Sequence, residues 1–327
     1  MKSIAELTEK LLAQDRRALS KSITLVESSR PQDREKALAL LDTIMPYTGK
    51  SLRLGISGTP GVGKSTFIEA YGQYLIQQGQ KIAALTIDPS SKLRGGSILG
   101  DKTRMPMLAN DPAAYIRPTP SGSLLGGVAR RSREVIALCE AAGFDTVMVE
   151  TVGVGQSETE VANMTDCYLL LLQPASGDTL QGIKRGIMEL ADIVVVNKAD
   201  GALLPSARES AGHYMRALSL MPRKMPDWDC PVVLCSSLQK EGLEALDQHI
   251  QSFMTQSRDT GHFENKREQQ LRYWLEDETI ACLIERFKRD PQIRIQFAAL
   301  ENKLTEGKSP AALAADFSNK ILNPDIL

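Results

Sequence analysis

Residues 58–66 have the sequence Gly58-Thr59-Pro60-Gly61-Val62-Gly63-Lys64-Ser65-Thr66. The stretch follows a short apolar run, residues 52–56, and precedes a segment compatible with a helix. Strand, G-x-x-x-x-G-K-S and helix, in that order, is the context of a phosphate-binding loop. Glycines let successive backbone N–H groups turn toward one anion, and the helix N-terminus adds the positive end of its dipole. The stretch therefore predicts that residues 58–66 bind a nucleoside triphosphate, with a chance Gly-rich turn as the alternative.

Two side chains of this loop carry chemistry. Lys64 is placed to reach the β- and γ-phosphates, and the Ser65 hydroxyl is placed to ligate Mg²⁺. No pocket for an acceptor substrate is recognisable, so we expect water to be the nucleophile. Hydrolysis would then depend on positioning and on neutralising the charge that develops at the β–γ bridge.

A second motif indicates which base is bound. The buried-strand pattern of residues 193–196 ends in Asn197-Lys198-Ala199-Asp200, an N-K-x-D sequence. A carboxylate at Asp200 can accept hydrogen bonds from N1–H and the exocyclic amine of guanine, a donor pair that adenine lacks. Lys198 would lie along the base, and Asn197 would connect this loop to the phosphate loop. The pattern favours GTP over ATP.

A third loop supports the same base. Residues 232–235 form another apolar run, followed by Ser236, Ser237 and Leu238. In GTPases the corresponding turn places a backbone N–H against guanine O6. We therefore predict that residues 236–238 complete the guanine site.

Acidic residues between these landmarks are candidates for the metal site. The strand pattern 145–150 ends at Glu150, and Thr151-Val152-Gly153 follows. Glu150 can hold Mg²⁺ directly or through water, and Gly153 can offer its N–H to the γ-phosphate. Asp88 and Asp101 are further candidate ligands beside Ser65, although either could instead cap a turn or loop.

One candidate could orient the attacking water. Gln156 lies three residues beyond Gly153, but it could equally cap the helix that follows. The predicted catalytic residues are thus Lys64, Glu150 and Gln156. Because this set is incomplete, we expect slow intrinsic turnover that rises when a partner orders the switch loops.

Three longer stretches resemble a particular family. They are TIDPSS at 86–91, GGSILGDKTRM at 95–105 and ETVGVGQSE at 150–158. Together with the order of the nucleotide motifs, they are similar to the MeaB/ArgK family, within the SIMIBI class of P-loop GTPases. Members are G-protein chaperones of adenosylcobalamin-dependent acyl-CoA mutases and are related to the human methylmalonic aciduria type A protein. The similarity covers roughly residues 50–240.

The resemblance implies a partner and a mode of action. It implies a homodimer that binds a mutase, most often methylmalonyl-CoA mutase, and uses GTP and Mg²⁺ to gate loading, protection or reactivation of the client. Residues 173–184 are similar to the additional switch loop of the family, with Asp178 and Lys184 as its matching charged residues. Thr179 departs from the pattern, since many members have a second acid there.

Composition sets the remaining limits. The chain has 327 residues and a net charge of −1 with no long basic run, so nucleic acid is not indicated as a partner. Five scattered cysteines fit thiols in a reducing compartment better than disulfides. An apolar run long enough to span a membrane and a leader pattern are both missing, so we expect a bacterial cytoplasmic protein without a membrane partner.

Hydrophobic periodicity predicts an α/β fold. Strand patterns near residues 52–57, 81–87, 114–117, 145–150, 167–172, 192–197 and 231–235 alternate with helical segments. This alternation predicts a P-loop NTPase with a mostly parallel central sheet flanked by helices, and ligands at the carboxyl ends of the strands. The predicted divisions are a helical extension over 1–48 with two helices, a GTPase domain over 49–256 and a helical dimerisation region over 257–327.

An apolar stripe at helical spacing marks the C-terminal region. Its members are Leu271, Trp274, Leu275, Cys282, Leu283 and Phe287. The stripe is either part of an intrachain core or the face of a dimer helix, and the family resemblance implies the second. Two further short helices are expected after Pro291 and Pro310.

Other functional classes stay open at this point. A metallochaperone GTPase for metal-enzyme maturation shares the fold, but would usually have a His-rich or Cys-centred motif, and the three histidines here are far apart. A small-molecule kinase would need an acceptor site, and N-K-x-D disfavours it. A targeting GTPase of the signal-recognition type would need a Met-rich segment.

Overall fold

The computed structural model describes residues 4–28, 30–88, 104–120, 127–151, 157–174, 185–304 and 307–322. Within these ranges seven strands form one sheet, in the order β3-β2-β4-β1-β5-β6-β7, and every neighbouring pair is parallel. The strands are β1 (Leu52–Gly58), β2 (Ile82–Asp88), β3 (Ala114–Pro120), β4 (Thr146–Thr151), β5 (Cys167–Leu172), β6 (Ile193–Val196) and β7 (Val232–Leu234). The predicted parallel α/β sheet is confirmed.

Helices connect and cover the strands. In chain order they are α1 (Ile4–Leu12), α2 (Arg16–Glu27), α3 (Pro31–Ile44), α4 (Lys64–Gln77), α5 (Pro106–Asn110), α6 (Gly127–Ala141), α7 (Ser157–Ala162), α8 (Arg185–Met188), α9 (Leu204–Ser219), α10 (Leu243–Asp259), α11 (His262–Arg289), α12 (Pro291–Leu304) and α13 (Pro310–Leu322). Among the described residues, no helix is both long and apolar enough to cross a membrane.

The crossover directions place helices on both faces of the sheet. The chain passes from β1 to β2 in one direction along the sheet, and from β3 to β4 and onward in the other. Because such crossovers are right-handed, α4 lies on one face, and α6, α7 and α9 lie on the opposite face. The α4 face forms a continuous apolar core that includes Leu54, Ile56, Phe67, Ile250 and Phe253.

The N-terminal region contains three helices, so the prediction of two was wrong. Asp15 starts the additional helix, α2, because its carboxylate accepts hydrogen bonds from the backbone N–H groups of Arg17 at 2.7 Å and Ala18 at 2.9 Å. The buried face of α2 includes Leu19 and Ile23, which are four residues apart. Helices α2 and α3 pack on α6, where Arg34 pairs with buried Glu134 at 2.6 Å.

The chain forms two compact units, one ending at Arg272 and the other beginning at Tyr273. The second unit has its own aromatic cluster, in which the rings of Phe287, Phe297 and Phe317 are 5.3 to 6.2 Å apart. The division falls within α11, so the first turns of that helix belong to the larger unit. The predicted domain boundary at 256/257 stays a prediction.

An ion-pair network joins the start of α11 to the amino edge of the sheet. Arg267 donates to both carboxylate oxygens of Asp166, at 2.5 and 2.7 Å. Asp166 also accepts from the backbone N–H of Arg53 at 2.8 Å, and the Arg53 guanidinium binds Glu140 through two bonds of 2.7 and 2.8 Å. Gln270 donates to the carbonyl of Thr165 at 2.8 Å. Side chains therefore satisfy backbone groups just before β5 begins and within β1.

Asp192, just before β6, is part of this edge. It accepts from the backbone N–H of Tyr168 at 2.8 Å and from Lys224 at 2.8 Å, with Lys266 at 3.7 Å. Burial favours the neutral acid, but the two ammonium groups and these hydrogen bonds outweigh it and hold the pKa of Asp192 below its ordinary value.

We expect Asp192→Asn to lower the free energy of unfolding by about 3 kcal/mol, because it leaves a buried ion-pair network without its central charge. Since the folded-state pKa of Asp192 is depressed, its contribution is present above the ordinary Asp value of about 3.9 and is lost as pH falls through the folded value. Urea unfolding from about pH 5 to pH 8 should therefore show a constant difference between variant and wild type.

The control for this substitution is Asp229→Asn, which breaks a solvent-exposed pair with Arg223. Exposed pairs contribute about 0–1 kcal/mol. Equal losses from the two substitutions would contradict a special role for Asp192.

Candidate functional site

Backbone geometry at the end of β1 requires glycine. Gly58 has φ +152°, and a Cβ there would lie 2.3 Å from the carbonyl oxygen of Leu171 on β5. Gly61 and Gly63 have φ of +81° and +95°, in the left-handed region that favours glycine. The chain therefore turns tightly over the end of β1 and enters α4 at Lys64. Ser65 is half-buried, and Thr66 is exposed.

Lys64 lies across the loop that it follows. Its Nζ donates to the carbonyl oxygen of Gly58 at 2.7 Å, and the side chain is buried. Burial lowers the pKa of the Lys64 ammonium, and the carboxylates of Glu150 and Glu158 oppose that shift. The buried Lys64 ammonium therefore contacts the phosphate loop, and two buried acids favour its charged form.

Asn197 connects three loops at the carboxyl edge of the sheet. Its Nδ2 donates to the carbonyl oxygen of Val62 at 2.9 Å. Its Oδ1 accepts from the backbone N–H of Ser237 at 3.1 Å and from the Ser237 hydroxyl at 2.7 Å. The expected link between the N-K-x-D motif and the phosphate loop is therefore present, and it extends to the third loop.

The neighbouring residues of the motif are held in place as well. Lys198 has φ +59° and donates from Nζ to the carbonyl oxygen of Gly61 at 2.7 Å. The Asp200 carboxylate accepts from the Ser236 hydroxyl, whose oxygen accepts from the backbone N–H of Gln239 at 3.1 Å. These contacts hold the Asp200 carboxylate in place, and its contact with guanine stays a prediction. Leu238 lies beside this site with an exposed side chain.

Part of the predicted metal site is described. Glu150 is buried near the end of β4, and its backbone pairs with Ile56 of β1, two residues before Gly58. Asp88 is the last residue of β2, which is the other neighbour of β4. Both strands therefore end at the edge of the sheet that carries the phosphate loop.

Several predicted site residues lie outside the described ranges. They are Asp101, Gly153, Gln156, Asp178 and Lys184. Their proposed parts in metal binding, γ-phosphate sensing, water orientation and partner coupling stay predictions.

Two contacts in the site were missed by sequence reasoning. Glu158 lies within the family-like stretch 150–158. Its position in the sequence does not indicate that it is buried, or that its carboxylate opposes the lowering of the Lys64 pKa. The bond from Lys198 to Gly61 was also missed, since the motif itself predicts only a contact with the base. Both depend on how the loops fold over one another.

A phosphate loop tied by asparagine to an N-K-x-D loop, at the carboxyl edge of a parallel sheet, defines a P-loop GTPase. The chain is a GTPase of this class. The profile of the family described as "Methylmalonyl Co-A mutase-associated GTPase MeaB" matches residues 19–292. The chain belongs to this family.

Known proteins support the assignment. "GTPase ArgK" of Escherichia coli (strain K12) is 49% identical over 277 residues, covering 85% of this chain and 84% of that protein. The mitochondrial "Methylmalonic aciduria type A homolog" of Mus musculus is 44% identical over 316 residues, covering 94% of this chain and 76% of that protein. A crystal structure titled "LAO/AO transport system kinase" matches with a TM-score of 0.75 and 39% identity, covering 98% of this chain and 97% of that one.

We expect Gly63→Ala to weaken GTP binding, because a Cβ at this position would lie 2.9 Å from Nδ2 of Asn197. The matched control is Gly79→Ala, since Gly79 also has positive φ, +83°, but nothing lies within 4 Å of its Cβ position. Each should lower stability by about 1–2 kcal/mol through backbone strain. Titration with a fluorescent GTP analogue should show weaker binding for Gly63→Ala alone, and equal affinities would contradict this account of the loop.

Proposed function

We propose that the chain is a G-protein chaperone of an adenosylcobalamin-dependent acyl-CoA mutase, with methylmalonyl-CoA mutase as the first client to test. The observation that carries the proposal is the family match over residues 19–292, together with a nucleotide site whose three loops are joined. GTP would gate loading, protection or reactivation of the client. A bacterial cytoplasmic location belongs to the same proposal.

The residues at the carboxyl edge suit Mg²⁺–GTP. Ser65 and Glu150 offer the hydroxyl and carboxylate oxygens that Mg²⁺ prefers, and Asp88 and Asp101 are further proposed ligands. Bound there, Mg²⁺ would neutralise charge on the phosphates. Lys64 would move from the Gly58 carbonyl to the β- and γ-phosphates, and Asp200 would bind guanine.

Hydrolysis would serve to switch conformation. A ligand shifts an equilibrium only by its difference in affinity for the two states, so GTP and GDP must be bound differently. In the proposal the loop of residues 173–184 reports this difference to the client through Asp178 and Lys184. Thr179 would weaken that coupling relative to relatives with a second acid.

Measurement of GTP hydrolysis with apo- and holo-methylmalonyl-CoA mutase tests the client. We expect the mutase to raise the rate of GTP hydrolysis and to leave ATP hydrolysis unchanged. Lys64→Ala should lower the stimulated rate by on the order of 10²-fold, because it removes charge stabilisation of the transition state.

Two results would redirect the proposal. A rate of GTP hydrolysis that is the same with and without the mutase would exclude this enzyme as the client. Metal-enzyme maturation factors would then be the next partners to test. Nucleotide diphosphate release only with an added small-molecule acceptor would support a kinase.

We also propose that the chain forms a homodimer through apolar residues of α11. The predicted stripe divides into two parts: Phe287 belongs to the aromatic cluster of the second unit, whereas Leu275 is 70% exposed and Leu283 is 52% exposed. Leu275 and Leu283 are spaced so that they lie on one face of the helix. Exposed apolar faces of this kind are frequent in protein interfaces. A second copy of the chain is the occupant that the family resemblance favours.

We expect Leu275→Glu to halve the mass measured by light scattering, because a charge would be buried in the interface. Leu220→Glu places the same charge on a side chain that is 85% exposed in the larger unit and should not change the mass. A dimer that survives Leu275→Glu, or a monomeric wild type, would contradict this interface.

A further inference from the structure

A group of buried hydroxyl side chains lies beneath the phosphate loop, on the face of the sheet opposite α4. Its members are Ser57 on β1, Thr151 on β4 and Tyr168 on β5, and all three are fully buried. They lie on three adjacent strands, since β1 is between β4 and β5. We call Ser57, Thr151 and Tyr168 the hydroxyl cluster.

The central contact of the cluster begins where backbone pairing ends. The last backbone pair between β1 and β4 joins Ile56 to Glu150. One residue further along each strand, the hydroxyl of Thr151 donates to the hydroxyl of Ser57 at 2.9 Å. A side-chain hydrogen bond therefore continues the connection between the strands up to the residue before Gly58.

Gly55 makes room for the third member. A Cβ on Gly55 would lie 2.7 Å from the Tyr168 ring and 3.2 Å from the Val161 side chain on α7. The ring therefore lies against the bare backbone of β1, and the buried Tyr168 hydroxyl makes no hydrogen bond within the described residues. Burial raises the pKa of the Tyr168 hydroxyl and the Ser57 hydroxyl opposes that shift, which fits a contact inside the sheet.

Hydroxyl groups are costly at these positions. The neighbouring residues of the strands, such as Val149 and Leu170, are apolar and equally buried. A buried hydroxyl destabilises the fold unless it is hydrogen-bonded, and among the described residues the hydroxyls of Ser57 and Thr151 meet this requirement only through each other. Packing alone does not explain a hydroxyl pair at the two residues that adjoin Glu150 and Gly58.

We propose that Thr151 and Ser57 are positioning residues for GTP hydrolysis, with Tyr168 packed beside them, and that their hydrogen bond fixes the Glu150 carboxylate relative to the phosphate loop. Thr151 adjoins Glu150, and Ser57 adjoins Gly58, whose carbonyl accepts from Lys64. Loss of the hydrogen bond lets the two strand ends shift against each other. This inference rests on GTP hydrolysis and not on the mutase client, so either can fail alone.

The test is the rate of GTP hydrolysis by the full chain without a client. We expect Thr151→Val to lower kcat roughly 10- to 100-fold, since small misplacements of catalytic groups have effects of this size. Its affinity for GDP measured without Mg²⁺ should stay within about twofold, because the proposed role of Glu150 is at the metal. Thr151→Ser keeps the hydroxyl and should restore most of kcat.

The matched control is Thr146→Val on the same strand. Thr146 is also buried, and its hydroxyl donates to Gln80 at 2.8 Å, but it lies at the amino end of β4. Its kcat should remain at the wild-type value. Ser57→Ala removes the acceptor of the same bond and provides a second test if Thr151→Val does not fold.

Two results would overturn the proposal. One is a kcat for Thr151→Val, or for Ser57→Ala in its place, that matches the kcat of Thr146→Val. The other is a loss of kcat that Thr151→Ser fails to restore, since this would show that the shape of threonine, and not its hydroxyl group, is required.

Discussion

The buried amide of Asn197 is the constraint on which the nucleotide site depends. One small side chain donates to the phosphate loop at Val62 and accepts two bonds from Ser237, so three loops from three strands share one position. A carboxylate would lose the donor, and an apolar residue would leave buried backbone groups without partners. Gly63 is needed for the same reason, because any side chain there would reach the amide.

The two edges of the sheet carry opposite kinds of polar structure. At the amino edge, charges are paired with each other and with backbone groups, as in the contacts of Asp166 and Asp192. At the carboxyl edge, Lys64 lies between a carbonyl and two acids, and the site can exchange these partners for phosphate. The first arrangement stabilises one structure, whereas the second allows a ligand to be bound and released.

Sequence reasoning was most successful where the motif and the fold require the same residue. The strand before Gly58 and the link from Asn197 follow from motifs whose spacing fixes the geometry. The burial of Glu158 could not be predicted, because it depends on how the loops fold over one another. The pair of Ser57 and Thr151 depends on register between strands far apart in the sequence. Helix α2 was missed although Leu19, Ile23 and Val26 recur at helical spacing, and its start is fixed by the cap at Asp15. The sequence does not show which residues of the C-terminal stripe are buried and which are exposed, because leucines on the core face and on the surface of a helix recur with the same period.

The bonds at the amino edge also affect how the strands can open. Side chains of Arg267, Asp192 and Gln270 occupy backbone groups at or just before the starts of β1 and β5, so these strands cannot fray from that end without breaking buried bonds. Local unfolding takes the route of lowest free energy, and the cost of these bonds disfavours opening from the amino edge. The N–H of Tyr168 donates to a buried carboxylate and not to water, so its exchange with solvent would require that bond to break.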